Sequence, residues 1–138
     1  GLRIMGLGGS IRYNREETFQ YTEQEMRRRM RRLWFKAHRA GGIDLLLTHS
    51  PAAGLNDGDD RAHKGFACFN DLLEEYQPKW FVHGHVHLSY NANLPRVCTH
   101  GQTTVINATE RYTFEIPDPD PVARKRFFWN DPAFPTKN

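Results

Sequence analysis

Three histidines alternate at His83, His85 and His87. Side chains two residues apart diverge on a helix but share a face in a strand or extended turn, so a His-x-His in extended chain sets two imidazoles side by side. The segment ends the apolar run Lys79-Trp80-Phe81-Val82, which has buried-strand character. Gly84 interrupts it, and glycine lets a backbone turn sharply and approach a ligand closely. His49 has an equivalent place, at the end of Ile43-Asp44-Leu45-Leu46-Leu47-Thr48 and before Ser50-Pro51. Two neighbouring parallel strands would deliver His49, His85 and His87 to one sheet edge, where open α/β sheets bind ligands. Three converging imidazoles suit a transition metal such as Zn, Mn or Fe. Either motif alone reads more simply as surface or hydrogen-bonded histidine, and it is their pairing at two strand ends that favours a metal. His83 has the parity of the ligand pair. If Gly84 breaks the strand, His83 need not face the metal, and a supporting or packing role behind the ligands follows. Asn107 ends another strand and suits either hydrogen bonding beside the site or a turn.

Regular elements must hold these residues. Residues 2–10 read as a strand running into a glycine turn, and residues 12–20 as polar loop. Thr22-Glu23-Gln24-Glu25 has the capping-box form. Behind it Met26, Met30, Leu33, Trp34 and Ala37 make one helix face, which Gly41-Gly42 ends. Residues 43–48 form a strand, and residues 52–63 a loop rich in Gly and Asp. Phe66, Phe69, Leu73 and Tyr76 define a second helix that stops before Pro78. Strands are expected at 79–83, 96–99, 103–107 and 111–116, and one helical turn at 124–129. Strands alternating with helices and ending in a run of strands predict an α/β fold with a mixed sheet and flanking helices.

Composition narrows the function classes. The 138 residues carry 19 basic and 16 acidic side chains, a mild net charge of +3 that excludes a strongly polybasic protein. No apolar run approaches the length of a membrane span. Cys68 and Cys98 form neither a CxxC motif nor a disulfide framework, so a reducing, cytoplasmic setting is expected. The cluster Arg27-Arg28-Arg29 with Arg31 and Arg32 could contact a phosphate backbone. The solvent face of an amphipathic helix explains it better, given Glu16, Glu17, Glu23 and Glu25 nearby, so nucleic acid is not the expected partner. Gly6-Leu7-Gly8-Gly9-Ser10 lacks the Gly-Lys-Ser/Thr of a phosphate-binding P-loop, and a strand-end turn suffices.

Thr48-His49-Ser50-Pro51 followed by His83-Gly84-His85-Val86-His87 resembles the two C-terminal signature motifs of calcineurin-like metallophosphoesterases. Asp59-Asp60, Ala62-His63-Lys64-Gly65-Phe66 and Thr104-Val105-Ile106-Asn107 are similar to a bacterial branch of that superfamily. The resemblance covers residues 1–116 and implies part of an α/β/β/α sandwich. It implies that His49 and His85 bind one metal of a two-metal site and that His87 binds the other. The metals, Mn, Fe, Zn or Ni, would act as a clamp in hydrolysing phosphate mono- or diesters.

The family's Asp-x-His, Gly-Asp-x-x-Asp and Gly-Asn-His motifs do not occur before His49. They supply the bridging aspartate, further ligands and the histidine that assists the leaving group, so no catalytic acid is assigned here. Two divalent ions about 4 Å apart repel, and neutral imidazoles do not offset that repulsion as a bridging carboxylate does. The chain alone is therefore expected to hold at most one metal, weakly, and to be inactive by itself. It opens at Gly1 directly on strand-like sequence. We expect residues 1–116 to be the C-terminal half of a phosphoesterase domain whose N-terminal segment is the missing partner. The competing readings are a catalytically inactive metal-binding or interaction module and a nucleic-acid binder using the arginine helix. Asp57, Asp59 and Asp60 read first as a solvated turn; the sharper reading puts their loop beside the metals, with His63 contacting the phosphoester substrate. Residues 117–138 form a proline-rich, aromatic tail. It could pack back on the domain, cover the open side of an incomplete sandwich, or make a homo-oligomer.

Overall fold

A computed structural model describes residues 1–14, 18–89 and 93–117. The tail from 118 onward, with the helical turn expected at 124–129, lies outside the described residues. In chain order the elements are β1 (Ile4–Leu7), β2 (Ser10–Ile11), β3 (Gln20–Tyr21), α1 (Glu23–Arg39), β4 (Leu45–Thr48), α2 (Ala67–Tyr76), β5 (Trp80–His83), β6 (Val97–His100) and β7 (Thr103–Asn107). Five strands form one mixed sheet in the order β1-β4-β5-β7-β6, parallel except for β6 against β7. The fold is α/β, with helices between parallel strands. No helix among the described residues is long and apolar enough to cross a membrane.

The connections β1-α1-β4 and β4-α2-β5 step along the sheet in one direction. Crossovers of one hand then place both helices on one face. There Met26, Met30 and Ala37 of α1 and Phe69, Leu72 and Leu73 of α2 bury against Met5, Leu46, Phe81 and Val105. The period-2 alternation of the strands sends their other residues to the opposite face. Leu45, Trp80, Val82 and Ile106 cluster on that side, with Phe114 and Ile116 packed against them. Among the described residues the covering is incomplete: Ile4 is 58%, Leu47 47% and Val97 41% exposed.

Helix α1 begins where the sequence places it. Thr22 accepts from the Glu25 backbone N–H, and the Glu25 carboxylate accepts from the Thr22 N–H at 2.7 Å. Met26 and Met30 then point to the core. Trp34, expected on the apolar face, sits at its rim and donates to the Glu75 carboxylate at 2.6 Å, tying α1 to α2. Thr22→Ala should lower the unfolding free energy by about 1 kcal/mol, read as a shifted urea midpoint at unchanged slope.

Two expectations need correcting. Residues 111–116 are irregular, not a strand. Their alternation serves packing, since Phe114 and Ile116 face the sheet without ladder partners. The loop expected at 12–20 holds for 12–14 and 18–19, but Ser10–Ile11 and Gln20–Tyr21 on either side pair as a small parallel ribbon that was not expected. Two-residue strands carry no periodic signal, and Gln20 in β3 ties back to the residues after β2, its amide oxygen accepting from the Tyr13 and Asn14 N–H groups.

Candidate metal centre

The parallel strands β4 and β5 end at the same sheet edge. The hydrogen bond from Gly84 N–H to the His49 carbonyl, 3.0 Å, locks the two strand ends together just past the ladder. Beyond it the backbone reverses around His85. Val86 N–H donates to the Gly84 carbonyl at 2.8 Å, and the enclosed residue, His85, has φ +67°. This is a γ-turn of the rarer, strained hand. The sequence suggested Gly84 as the special backbone position, but the left-handed residue is His85, where a side chain is tolerated only at a cost.

The strained turn aims the imidazole at His49. His85 Nδ1 lies 3.0 Å from His49 Nε2, and His85 Nε2 lies 2.8 Å from the Ala62 carbonyl. A carbonyl only accepts, so His85 Nε2 carries the proton and Nδ1 presents a lone pair toward His49. This is the arrangement in which metal-binding histidines are commonly held, the distal N–H anchored on a carbonyl. Two nitrogens on one tetrahedral ion at 2.0–2.1 Å would stand about 3.3 Å apart, so the observed pair fits one edge of such a site. His49 is at the surface, yet its pKa is lowered, first by desolvation and then by the neighbouring His85, which favours the neutral form a metal needs.

His87 is exposed, two residues further along the same turn. Among the described residues, no group of three or more His, Cys, Asp or Glu side chains that could hold a metal is gathered. The structure thus brings together His49 and His85, with His63 adjacent. The His63 ring is 5.2 Å from that of His85, centroid to centroid. Its Nδ1–H donates to Asp60 at 2.7 Å. That bond, with the Ala62 and His63 backbone N–H groups, holds the Asp60 carboxyl below its usual range. Asp57 closes the same loop by accepting from Gly54 and Gly65 N–H.

His83 and Asn107 support the turn from beneath. The Asn107 amide donates to the Val86 carbonyl at 2.8 Å, and its oxygen accepts from the Thr109 N–H at 3.0 Å. The residue between His85 and His87 is thereby tied to the end of β7. His83 is buried, and its Nδ1–H donates to the Gly84 carbonyl at 3.1 Å, leaving Nε2 without a partner among the described residues. Burial pushes its pKa down to about 4, opposed by the Gly84 carbonyl. The unfolded chain binds this proton near pH 6.5 and the folded chain only near 4, so stability is retained above 6.5 and lost as pH falls between the two. In metal-free protein the urea midpoint should fall over that window, and less steeply in His83→Gln.

A cleft of about 650 Å³ opens beside the pair, lined by Ser10, Tyr13, Phe19, Arg29, His49 and His85. From sequence, Arg29 belongs to the solvent face of α1 and Gly8-Gly9-Ser10 to a simple turn. The signal it lacked is tertiary: the β2–β3 ribbon brings both beside His49, and Ser50 fixes the approach by donating to the Gly9 carbonyl at 3.1 Å. The Ala62 carbonyl is backbone and has no sequence signature.

No family model matches the chain. Among curated proteins it is similar to Metallophosphoesterase domain-containing protein 1 of Homo sapiens and of Mus musculus, each 32% identical over 71 residues, 49% of this chain and 20% of the relative. It is also similar to a UPF0046 protein of Caenorhabditis elegans, 37% identical over 73 residues, 48% of this chain and 24% of the relative. The matches therefore span about a fifth to a quarter of the length of these relatives. In sequence, the chain is a relative of proteins named for a metallophosphoesterase domain, matched over about half of its own length.

Proposed function

We propose that the chain contributes the C-terminal ligands of a metal-dependent phosphoesterase that hydrolyses phosphate mono- or diesters. The observation that carries this reading is the His49–His85 pair, 3.0 Å apart at the ends of adjacent parallel strands, with His85 held as the Nε2–H tautomer. In the complete domain His49 and His85 would hold one divalent ion and His87 a second, drawn from Mn, Fe, Zn or Ni. Such ions stabilise the charge of the phosphoryl group and activate water for attack. The chain's own contribution is orientation. The γ-turn and the Ala62 carbonyl fix the His85 ring, Asn107 fixes the turn, and Asp60 fixes His63 at the site margin. The acidic residues that would complete two metal positions are expected from an N-terminal segment. The apolar sheet face left open around Ile4, Leu47 and Val97 supports a further layer of structure there.

The test is hydrolysis of bis-p-nitrophenyl phosphate and p-nitrophenyl phosphate by this chain and by a version extended upstream, each with added Mn²⁺. Activity is expected from the extended protein and not from the short chain. An extended, Mn-loaded protein inactive on both esters would contradict the proposal and leave a metal-binding module as the function.

A further inference from the structure

Five arginines crowd residues 27–32, and the structure treats them differently. Arg27 pairs with Asp71 on α2, while Arg28, Arg31 and Arg32 are exposed. Arg29 alone of the five lines the cleft that holds His49 and His85. Its guanidinium carbon lies over the Tyr21 ring, 4.1 Å from the centroid, and Nη1–H donates to the Gly8 carbonyl at 2.6 Å. No carboxylate pairs with it among the described residues. The Tyr21 ring, the Gly8 carbonyl and the Met26 sulfur, both reached by Nη1, restrain it, and Nε and Nη2 are left to meet an anion. A guanidinium so restrained loses little freedom on gripping phosphate oxygens.

Phe19 stands on the same cleft. It is 75% exposed and has φ +63°, an unfavourable backbone state for a bulky residue. Its carbonyl accepts from Ser10 N–H at 3.1 Å, so the strained turn is part of the ribbon that forms the cleft wall. Gly9 is required there: a Cβ on it would lie 2.4 Å from the Tyr21 ring and 2.6 Å from the Phe19 carbonyl, at φ +105°. The packing thus spends backbone strain to hold a phenyl ring in water beside a cation and two imidazoles. Strain of this kind concentrates where ligands bind.

We infer that Arg29 and Phe19 form the substrate-recognition wall of the His49–His85 cleft, Arg29 holding a non-bridging phosphoryl oxygen and Phe19 the flat face of an aromatic group on the ester. The inference deepens the phosphoesterase reading and rests on it for the identity of the anion. Aryl rings and nucleobases share the π face this wall takes and differ in reach.

The test titrates the chain, metal-free and with Zn²⁺, with methyl phosphate, phenyl phosphate and adenosine 5′-monophosphate, following histidine and aromatic NMR signals. At least one of the two aromatic phosphates should bind about tenfold more tightly than methyl phosphate, and which one does so identifies the group. Phe19→Ala should remove that preference and leave methyl phosphate affinity unchanged. Arg29→Gln should weaken all three, Arg29→Lys should restore part of the loss, and Arg28→Gln should change none. Unaltered histidine signals in each free variant establish that the cleft is intact. Equal affinity for all three esters, or no binding of any, overturns the inference. A chain that shows the preference while the extended protein hydrolyses no ester keeps the recognition wall and loses the hydrolase reading. An active extended protein without the preference does the reverse.

Discussion

His85→Ala should lower the affinity of the chain for Zn²⁺ or Mn²⁺ by on the order of 100-fold or more, since losing only a ligand's supporting partner already costs about 10- to 100-fold. His85→Gly should lower it equally. The two variants part company in stability. With φ at +67°, alanine keeps the left-handed strain and glycine relieves it, so the glycine variant should be the more stable by about 1 kcal/mol. At an ordinary helix or strand position the order would be reversed, because glycine adds freedom to the unfolded chain. Calorimetric metal titration together with urea unfolding of both variants separates ligand loss from backbone strain. Alanine more stable than glycine would remove the strained turn from the account.

Gly65→Ala should destabilise the fold by about 3 kcal/mol, the upper part of the range for overpacking. A Cβ at Gly65 would lie 2.3 Å from the Ala52 carbonyl carbon and 2.6 Å from the Ala53 nitrogen, and these are backbone atoms that cannot rotate away. The contact sits where Phe66 N–H donates to the Pro51 carbonyl and Ala53 N–H to the Phe66 carbonyl. This seam closes the base of the loop that carries the Ala62 carbonyl, Asp60 and His63. Opening it should also release the His85 Nε2–H and weaken metal binding. Gly54→Ala is the control for a loop glycine with no atom within 4 Å of the added carbon. Its φ of +78° makes it strained in its own right, by the 1–2 kcal/mol of a left-handed alanine, but it should leave metal affinity unchanged. Thermal and urea unfolding with metal titration of both variants measures these differences.

Much of this was legible in the residues because the local rules agree with one another. The capping box at Thr22, the period of Met26, Met30 and Ala37, and the apolar runs before His49 and His83 each specify an element by pattern alone. The topology followed from strands alternating with helices. The meeting of His49 and His85 followed from two strand ends sharing an edge. What stayed hidden depends on backbone conformation or on distant contact. His85 in place of Gly84 as the left-handed residue runs against steric preference, and nothing in the side-chain sequence announces it. The Ala62 carbonyl has no residue-type signal. Arg29 looked like one more solvated charge in a run of five, and only the β2–β3 ribbon, too short to carry a period, shows which arginine turns inward. The alternation of Tyr112, Phe114 and Ile116 misled in the opposite sense, since it satisfies packing on a sheet without a hydrogen-bonded partner strand.

The most direct measurement is long-range ¹H–¹⁵N correlation of the histidine side chains, assigned by substitution, before and after adding Zn²⁺. The account predicts that His85 is protonated at Nε2 and bare at Nδ1 in the metal-free chain. It predicts that His85 Nδ1 and His49 Nε2 shift together as Zn²⁺ is added, while His38 and His100 stay where they are. A proton on His85 Nδ1, or a metal titration that moves His49 and His85 no more than those two histidines, would contradict it.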